Sequence, residues 1–147
     1  MNKNKLQYLI DNGKTIKPNN KPSEHNNQAS FVAYVKEKYP MLEIVAIPNA
    51  ARRSGREGWR MKQEGLSTGF PDIEILFPTE FAPPLFIENK KETKKNHKLP
   101  ESQSAKHELL RQLGYKVEVC YSYEDQIECL ESYIKTHSEK GKPLWVK

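Results

Sequence analysis

Cysteine and long apolar runs are both scarce in this chain of 147 residues. No apolar run approaches the roughly 18 residues that a membrane-spanning helix needs. The charged N-terminus carries an apolar run that is too short for a signal peptide. The only two cysteines, Cys120 and Cys129, form no metal-ligand pattern, and we expect two buried, reduced thiols. These absences predict a cytoplasmic protein that has no membrane partner.

Apolar residues are also few, at 36% of the chain, while 29% are charged. A chain of this length still forms one domain with a core that needs no disulfide or structural zinc. The net charge of +5 is concentrated in two clusters: Arg52, Arg53, Arg56, Arg60 and Lys62, and then Lys90, Lys91, Lys94, Lys95 and Lys98. A charge run is commonly a solvated face. Two runs on either side of one acidic segment favour a nucleic-acid partner.

The hydrophobic pattern predicts an α/β domain over 23–147, with residues 1–22 as an appendage that is partly disordered or contacts another subunit. The predicted order is helix, strand, strand, strand, helix, strand, helix, in a mixed central sheet flanked by helices on both faces. The expected helices begin at Ser23, Pro100 and Ser122, and the expected strands span 44–47, 72–77, 85–91 and 115–121. Residues 50–58 are predicted to form a basic loop, and residues 59–63 are predicted to form a strand or an irregular stretch. The apolar face of the second helix is predicted to be Leu109, Leu110 and Leu113.

Three charged side chains are predicted to share one face of the sheet. Glu88 and Lys90 are two apart on a strand, and a neighbouring strand begins at Asp72. Two carboxylates, with the backbone carbonyl of Asn89 as a third oxygen, suit Mg²⁺ or Mn²⁺, while Lys90 would orient a water molecule. The alternative is a surface salt bridge, because a Glu-x-Lys pair alone is a weak signal.

Two helical carboxylate or amide side chains are further candidates. Glu24 lies in line with the apolar stripe of the first helix, where it either complements the helix dipole or faces an internal site. Gln103 and His107 lie on one stripe of the predicted helix that begins at Pro100. Contact between His107 and a phosphate is the less favoured interpretation. His97 lies in the lysine-rich loop and is expected to be solvated.

Several of these segments together resemble the virus-type replication-repair nuclease (VRR-NUC) domain of the PD-(D/E)XK superfamily. The matching segments read Gly-Phe-Pro-Asp-Ile at 69–73, Phe-Ile-Glu-Asn-Lys at 86–90 and Leu-Gly-Tyr-Lys-Val at 113–117, together with Gln103. Ser-Glu at 23–24 and Ile-Pro-Asn at 47–49 also match. The resemblance covers about residues 23–135. Position 89 is usually apolar in the family, whereas here it is Asn89.

The resemblance implies a restriction-endonuclease-like fold and a Mg²⁺- or Mn²⁺-dependent endonuclease. It places Asp72, Glu88 and Lys90 in the catalytic motif and Glu24 and Gln103 at the site, with Glu24 reaching the metal directly or through water. Small stand-alone members are similar to Holliday-junction resolvases, act as homodimers and often come from phage. The expected substrate is thus branched DNA in a bacterial or phage-infected cell, held by Arg52, Arg53, Lys91, Lys94 and Lys95. The alternatives are a general or restriction-type duplex nuclease and a catalytically inactive nucleic-acid-binding module.

Overall fold

The computed structural model describes residues 23–48, 55–77 and 82–138. The predicted appendage, the C-terminal tail, and Arg52 and Arg53 lie outside these ranges. The described elements are, in chain order, α1 (Glu24–Lys38), β1 (Glu43–Ala46), α2 (Gly55–Gln63), β2 (Ile73–Leu76), β3 (Leu85–Asn89), a 3₁₀ turn (Glu92–Lys94), α3 (Glu101–Gln112), β4 (Lys116–Cys120) and α4 (Tyr123–Ser138). No helix within these ranges is long and apolar enough to cross a bilayer.

The four strands form one mixed sheet in the order β1-β2-β3-β4. The pairs β1–β2 and β2–β3 are antiparallel, and β3–β4 is parallel. A parallel pair needs a long crossover, and α3 is the helix that supplies it. The α/β fold with a mixed sheet between helices is therefore confirmed.

Local sequence sets the helix ends. The Ser23 hydroxyl accepts a hydrogen bond from the Asn26 backbone N–H (3.1 Å) and caps α1, as its sequence position predicts. At the end of α3, the Gly114 N–H donates to the Arg111 carbonyl and the Tyr115 N–H to the Leu110 carbonyl. This is a Schellman motif, and Gly114 adopts the positive φ of 91° that the motif requires.

The sheet is most deeply buried at β3, which is buried along its whole length, whereas the edge strand β1 is mostly exposed. One face packs against α1 and α4 through a core that includes Phe31, Ile73, Ile87 and Leu130. A smaller core, made of Phe86, Leu110 and Val117, lies on the other face beneath α3. Alternate residues of β3 consequently face different helices.

Two local predictions are wrong. Residues 55–63 form the helix α2, not a loop followed by a strand or an irregular stretch. Glycines at positions 55 and 58 hide this helix from propensity arguments, because glycine is among the poorest helix formers. The buried side of α3 is formed by His107 and Leu110, whereas Leu109 and Leu113 are 46% and 63% exposed.

Candidate active site

Asp72 and Glu88 lie on adjacent strands at one end of the sheet. Ile73 pairs with Ile87 across β2 and β3, and one further step of this antiparallel register places Asp72 opposite Glu88. Asp72 Oδ2 also accepts a hydrogen bond from the Asn89 backbone N–H at 2.8 Å. The Asp72 carboxylate is therefore held against the backbone of the residue that follows Glu88.

The Glu88 carboxylate is the most tightly held group of the site. It is 1% exposed, and its Oε1 accepts hydrogen bonds from Lys90 Nζ (2.7 Å) and Gln103 Nε2 (2.8 Å). Lys90 is on the same side because it lies two residues further along the chain, and Gln103 comes from the first turn of α3. Glu88, Lys90 and Gln103 therefore meet as the sequence predicts.

His107 lies on the other side of the same carboxylate. Its ring is fully buried, and Nε2 is 3.7 Å from Glu88 Oε2, which is longer than a hydrogen bond. Among the described residues, Glu88 Oε2 and both His107 ring nitrogens have no hydrogen-bond partner. Burial alone would raise the pKa of Glu88, but His107 and Lys90 outweigh burial and lower that pKa. The site therefore favours an ionised Glu88 with one oxygen still available.

Gly69 allows α3 to approach this end of the sheet. It has a φ of 79°, and a Cβ at this position would lie 2.2 Å from the Ser102 carbonyl oxygen and 3.0 Å from the Gln103 nitrogen. Any larger residue would collide with the backbone of the helix turn that carries Gln103. The glycine of the 69–73 segment thus has a packing role three residues before Asp72.

Asn89 faces the opposite side of the sheet from Glu88. Its side-chain amide donates to Gln28 Oε1 of α1 at 2.9 Å and accepts from Gln126 Nε2 of α4. The polar side chain of Asn89 is therefore hydrogen-bonded to two helices. Its backbone carbonyl belongs to the same fixed segment and stays a candidate metal ligand.

Glu24 reaches the site end of the sheet from the first turn of α1. Its Oε1 accepts a hydrogen bond from the Lys91 backbone N–H at 3.0 Å. This contact ties Glu24 to the segment that follows β3. Lys91, Lys94 and Lys95 are exposed in that segment, as is His97.

The donor set suits a hard divalent cation. Within 23–48, 55–77 and 82–138, no group of three or more His, Cys, Asp and Glu side chains has a metal-centre arrangement. Mg²⁺ needs fewer protein ligands, since one or two carboxylates with water molecules suffice. Asp72, the unpartnered Oε2 of Glu88 and the Asn89 carbonyl meet that requirement.

Three residues around the site carry different sequence signals. His107 lies four residues after Gln103, and this i, i+4 spacing predicts that both lie on one side of α3. Gln28 lies four residues from both Glu24 and Val32, so the same spacing places it on the side of α1 that carries Glu24. Nothing in the sequence pattern indicates Gln126 as the partner of Asn89.

The chain is similar to proteins of a known family. The family model of the VRR-NUC domain matches residues 15–124 of its sequence. The chain belongs to the VRR-NUC family. A solved structure named "VRR_NUC domain protein" is 23% identical, with 80% of this chain and 92% of that chain covered and a TM-score of 0.61. This similarity shows that the VRR-NUC fold is shared. No curated protein matches the chain.

Membership of the VRR-NUC family implies a nuclease-type function. The VRR-NUC match also contains every residue of the candidate site, from Glu24 to His107.

Proposed function

We propose that this VRR-NUC chain is a Mg²⁺- or Mn²⁺-dependent DNA endonuclease that cuts branched DNA as a homodimer. The observation that carries the proposal is the buried Glu88 carboxylate, which holds Lys90 and Gln103 through one oxygen and leaves the other without a hydrogen-bond partner, 3.7 Å from His107 Nε2. A buried carboxylate without full pairing is costly unless a further cationic group completes it.

The chain's own residues divide the chemistry between them. Asp72 and Glu88 hold the cation, with Glu24 acting directly or through a water molecule. Lys90 orients the attacking water or steadies the developing charge, and Gln103 fixes Glu88 and Lys90 relative to each other. When bound, the divalent ion supplies Lewis-acid polarisation of the phosphate and relief of charge on the leaving oxygen.

The surroundings support a DNA backbone as the substrate. Lys91, Lys94 and Lys95 are exposed immediately after the strand that carries Glu88, and the basic cluster of 52–62 precedes Asp72 in the chain. Such side chains hold phosphates without reading sequence. A two-fold dimer places two such sites symmetrically, which suits paired cuts at a junction.

The test compares cleavage of matched linear duplex, flap and four-way junction DNAs with Mg²⁺, Mn²⁺ or EDTA. We expect metal-dependent cleavage that is fastest on the branched DNAs. Asp72→Ala, Glu88→Ala and Lys90→Ala should each lower the rate by at least about a hundredfold. Lys116→Ala is the control, because Lys116 pairs with Leu85 at the opposite end of the sheet.

A separate experimental result would contradict each part of the proposal. Equal rates on duplex and branched DNA would reject the branched substrate, and a monomer during cleavage would reject the dimer. Binding without any cleavage would leave a nucleic-acid-binding module in place of an enzyme.

A further inference from the structure

Helix α2 carries its one large aromatic side chain on its solvent side. Trp59 is 63% exposed, and no residue of the helix is buried. At 100° per residue, Trp59 lies between Arg56, one turn before it, and Lys62, one turn after it. The half-buried side of the helix is the one that contains Met61. Trp59 is therefore part of the basic face and does not serve as an anchor to the core.

The connection that contains α2 leaves and returns at the active-site end of the sheet. It departs after β1, where the Ile47 N–H donates to the Asp72 carbonyl at 2.8 Å, and it returns through Gly69 to Asp72. The start and the end of this segment therefore both lie beside Asp72, the residue that precedes β2. Helix α2 is carried by that segment.

A flat indole on a cationic helix matches the chemistry of an unpaired base. Phosphates beside the base complement Arg56 and Lys62, and an exposed base offers a face on which the indole stacks. In an intact duplex, neighbouring base pairs already cover those faces. An exposed tryptophan among cations therefore distinguishes a branch point from continuous duplex.

We propose that Trp59 stacks on an unpaired base, or on the uncovered end of a base pair, at the branch of the DNA substrate. This inference rests on the proposed function for its substrate class. It adds the residue that recognises the branch, separate from the residues that cut.

The test uses the intrinsic fluorescence of Trp59. The chain has two tryptophans, so Trp145→Phe leaves Trp59 as the only one. This protein is titrated in EDTA with a covalently closed duplex circle, which has no base-pair ends, with a fork that has two unpaired arms and with a four-way junction. We expect the emission to be quenched by the fork and the junction and not by the duplex.

Substitution separates stacking from charge. Trp59→Ala should weaken binding of the fork about tenfold and binding of the duplex less than twofold, and Trp59→Phe should restore most of the loss. Leu113→Ala is a matched control, because Leu113 is also 63% exposed but lies at the C-terminal cap of α3. It should leave binding of all three DNAs unchanged.

Three outcomes would overturn the inference. The first is that the fork binds without quenching the emission of Trp59. The second is that Trp59→Ala loses affinity equally for all three DNAs. The third is that Trp59→Ala dissociates a dimer. The last would make α2 a subunit contact. None of these readouts needs cleavage, so a failed nuclease assay and a failed stacking assay are distinguishable.

Discussion

Asn89 connects the site to the core through a single residue. Its backbone N–H holds Asp72, while its side-chain amide is bonded to Gln28 and Gln126 on the two helices beneath the sheet. Buried amides are stabilising only when they are paired, so these three side chains depend on one another. The position of the Asp72 carboxylate is therefore linked to the packing of α1 and α4.

Replacing Asn89 with leucine should destabilise the fold. Asn89→Leu leaves the fully buried Gln126 amide without its acceptor, and we expect a loss of about 2 to 3 kcal/mol in the free energy of unfolding, measured by urea denaturation. The paired variant Asn89→Leu with Gln126→Leu should recover about 1 kcal/mol, because it removes both partners. Additive losses in the paired variant would contradict the coupling.

Helices α1 and α4 are braced at their surface by one carboxylate. Glu131 Oε1 accepts from Lys38 Nζ at 2.7 Å and from the Tyr34 hydroxyl, and Glu131 Oε2 accepts from the Tyr39 hydroxyl at 2.6 Å. Partial burial alone would raise the pKa of Glu131, but these hydrogen bonds outweigh it and lower the pKa to about 2. The brace joins two elements that are far apart in the chain.

The brace predicts a loss of stability in acid. Because folding lowers the pKa of Glu131, its contribution is complete above the unfolded value near 4.5 and is lost as the pH falls towards 2. The side chain is more than a third exposed, so solvent screening limits the contribution to on the order of 1 kcal/mol. Urea unfolding between pH 7 and 2 should show that Glu131→Gln is less stable than wild type at pH 7, by a margin that narrows in acid. A constant difference would contradict the charge assignment.

At the scale of the whole molecule, the functional groups gather at one end of the sheet. Asp72 comes from the start of β2, Glu88 and Lys90 from the end of β3, and Gln103 from the first turn of α3. The antiparallel pairing of β2 with β3 makes a strand start and a strand end coincide there. The exposed lysines of 91–95 continue from the same end. These described lysines therefore lie on the side of the candidate site.

The position of these lysines predicts which of them set the salt dependence of DNA binding. Each lost phosphate contact lowers the slope of log K against log salt by about 0.9 on duplex DNA, so Lys94→Gln with Lys95→Gln should lower it by about 2. The control variant, Lys116→Gln with Lys135→Gln, also removes two positive charges. It removes them away from the site, since Lys116 pairs with Leu85 at the other end of the sheet. The control should leave the slope unchanged in fluorescence-anisotropy titrations, and equal slopes for both variants would refute the site-side assignment.

The local patterns of the chain predicted most of the fold. Period-two alternation predicts β2 and β4, Ser23 and Gly114 predict helix ends, and the two-residue spacing of Glu88 and Lys90 places them on one face. These features depend on local geometry, which a sequence carries explicitly. The helix α2 was not predicted because its two glycines lower its helix propensity and it has no buried residue to mark a core-facing side.

The sequence by itself determined most of the elements, the family resemblance and the shared side of Glu88 and Lys90, because spacing along a strand dictates which side chains share a side. Only the tertiary structure decided which partners those residues have. The burial of His107, the amide bridge from Gln28 through Asn89 to Gln126, and the close approach of Gly69 to Ser102 depend on contacts between distant segments. Such contacts are set by how helices pack against the sheet, which no local pattern records.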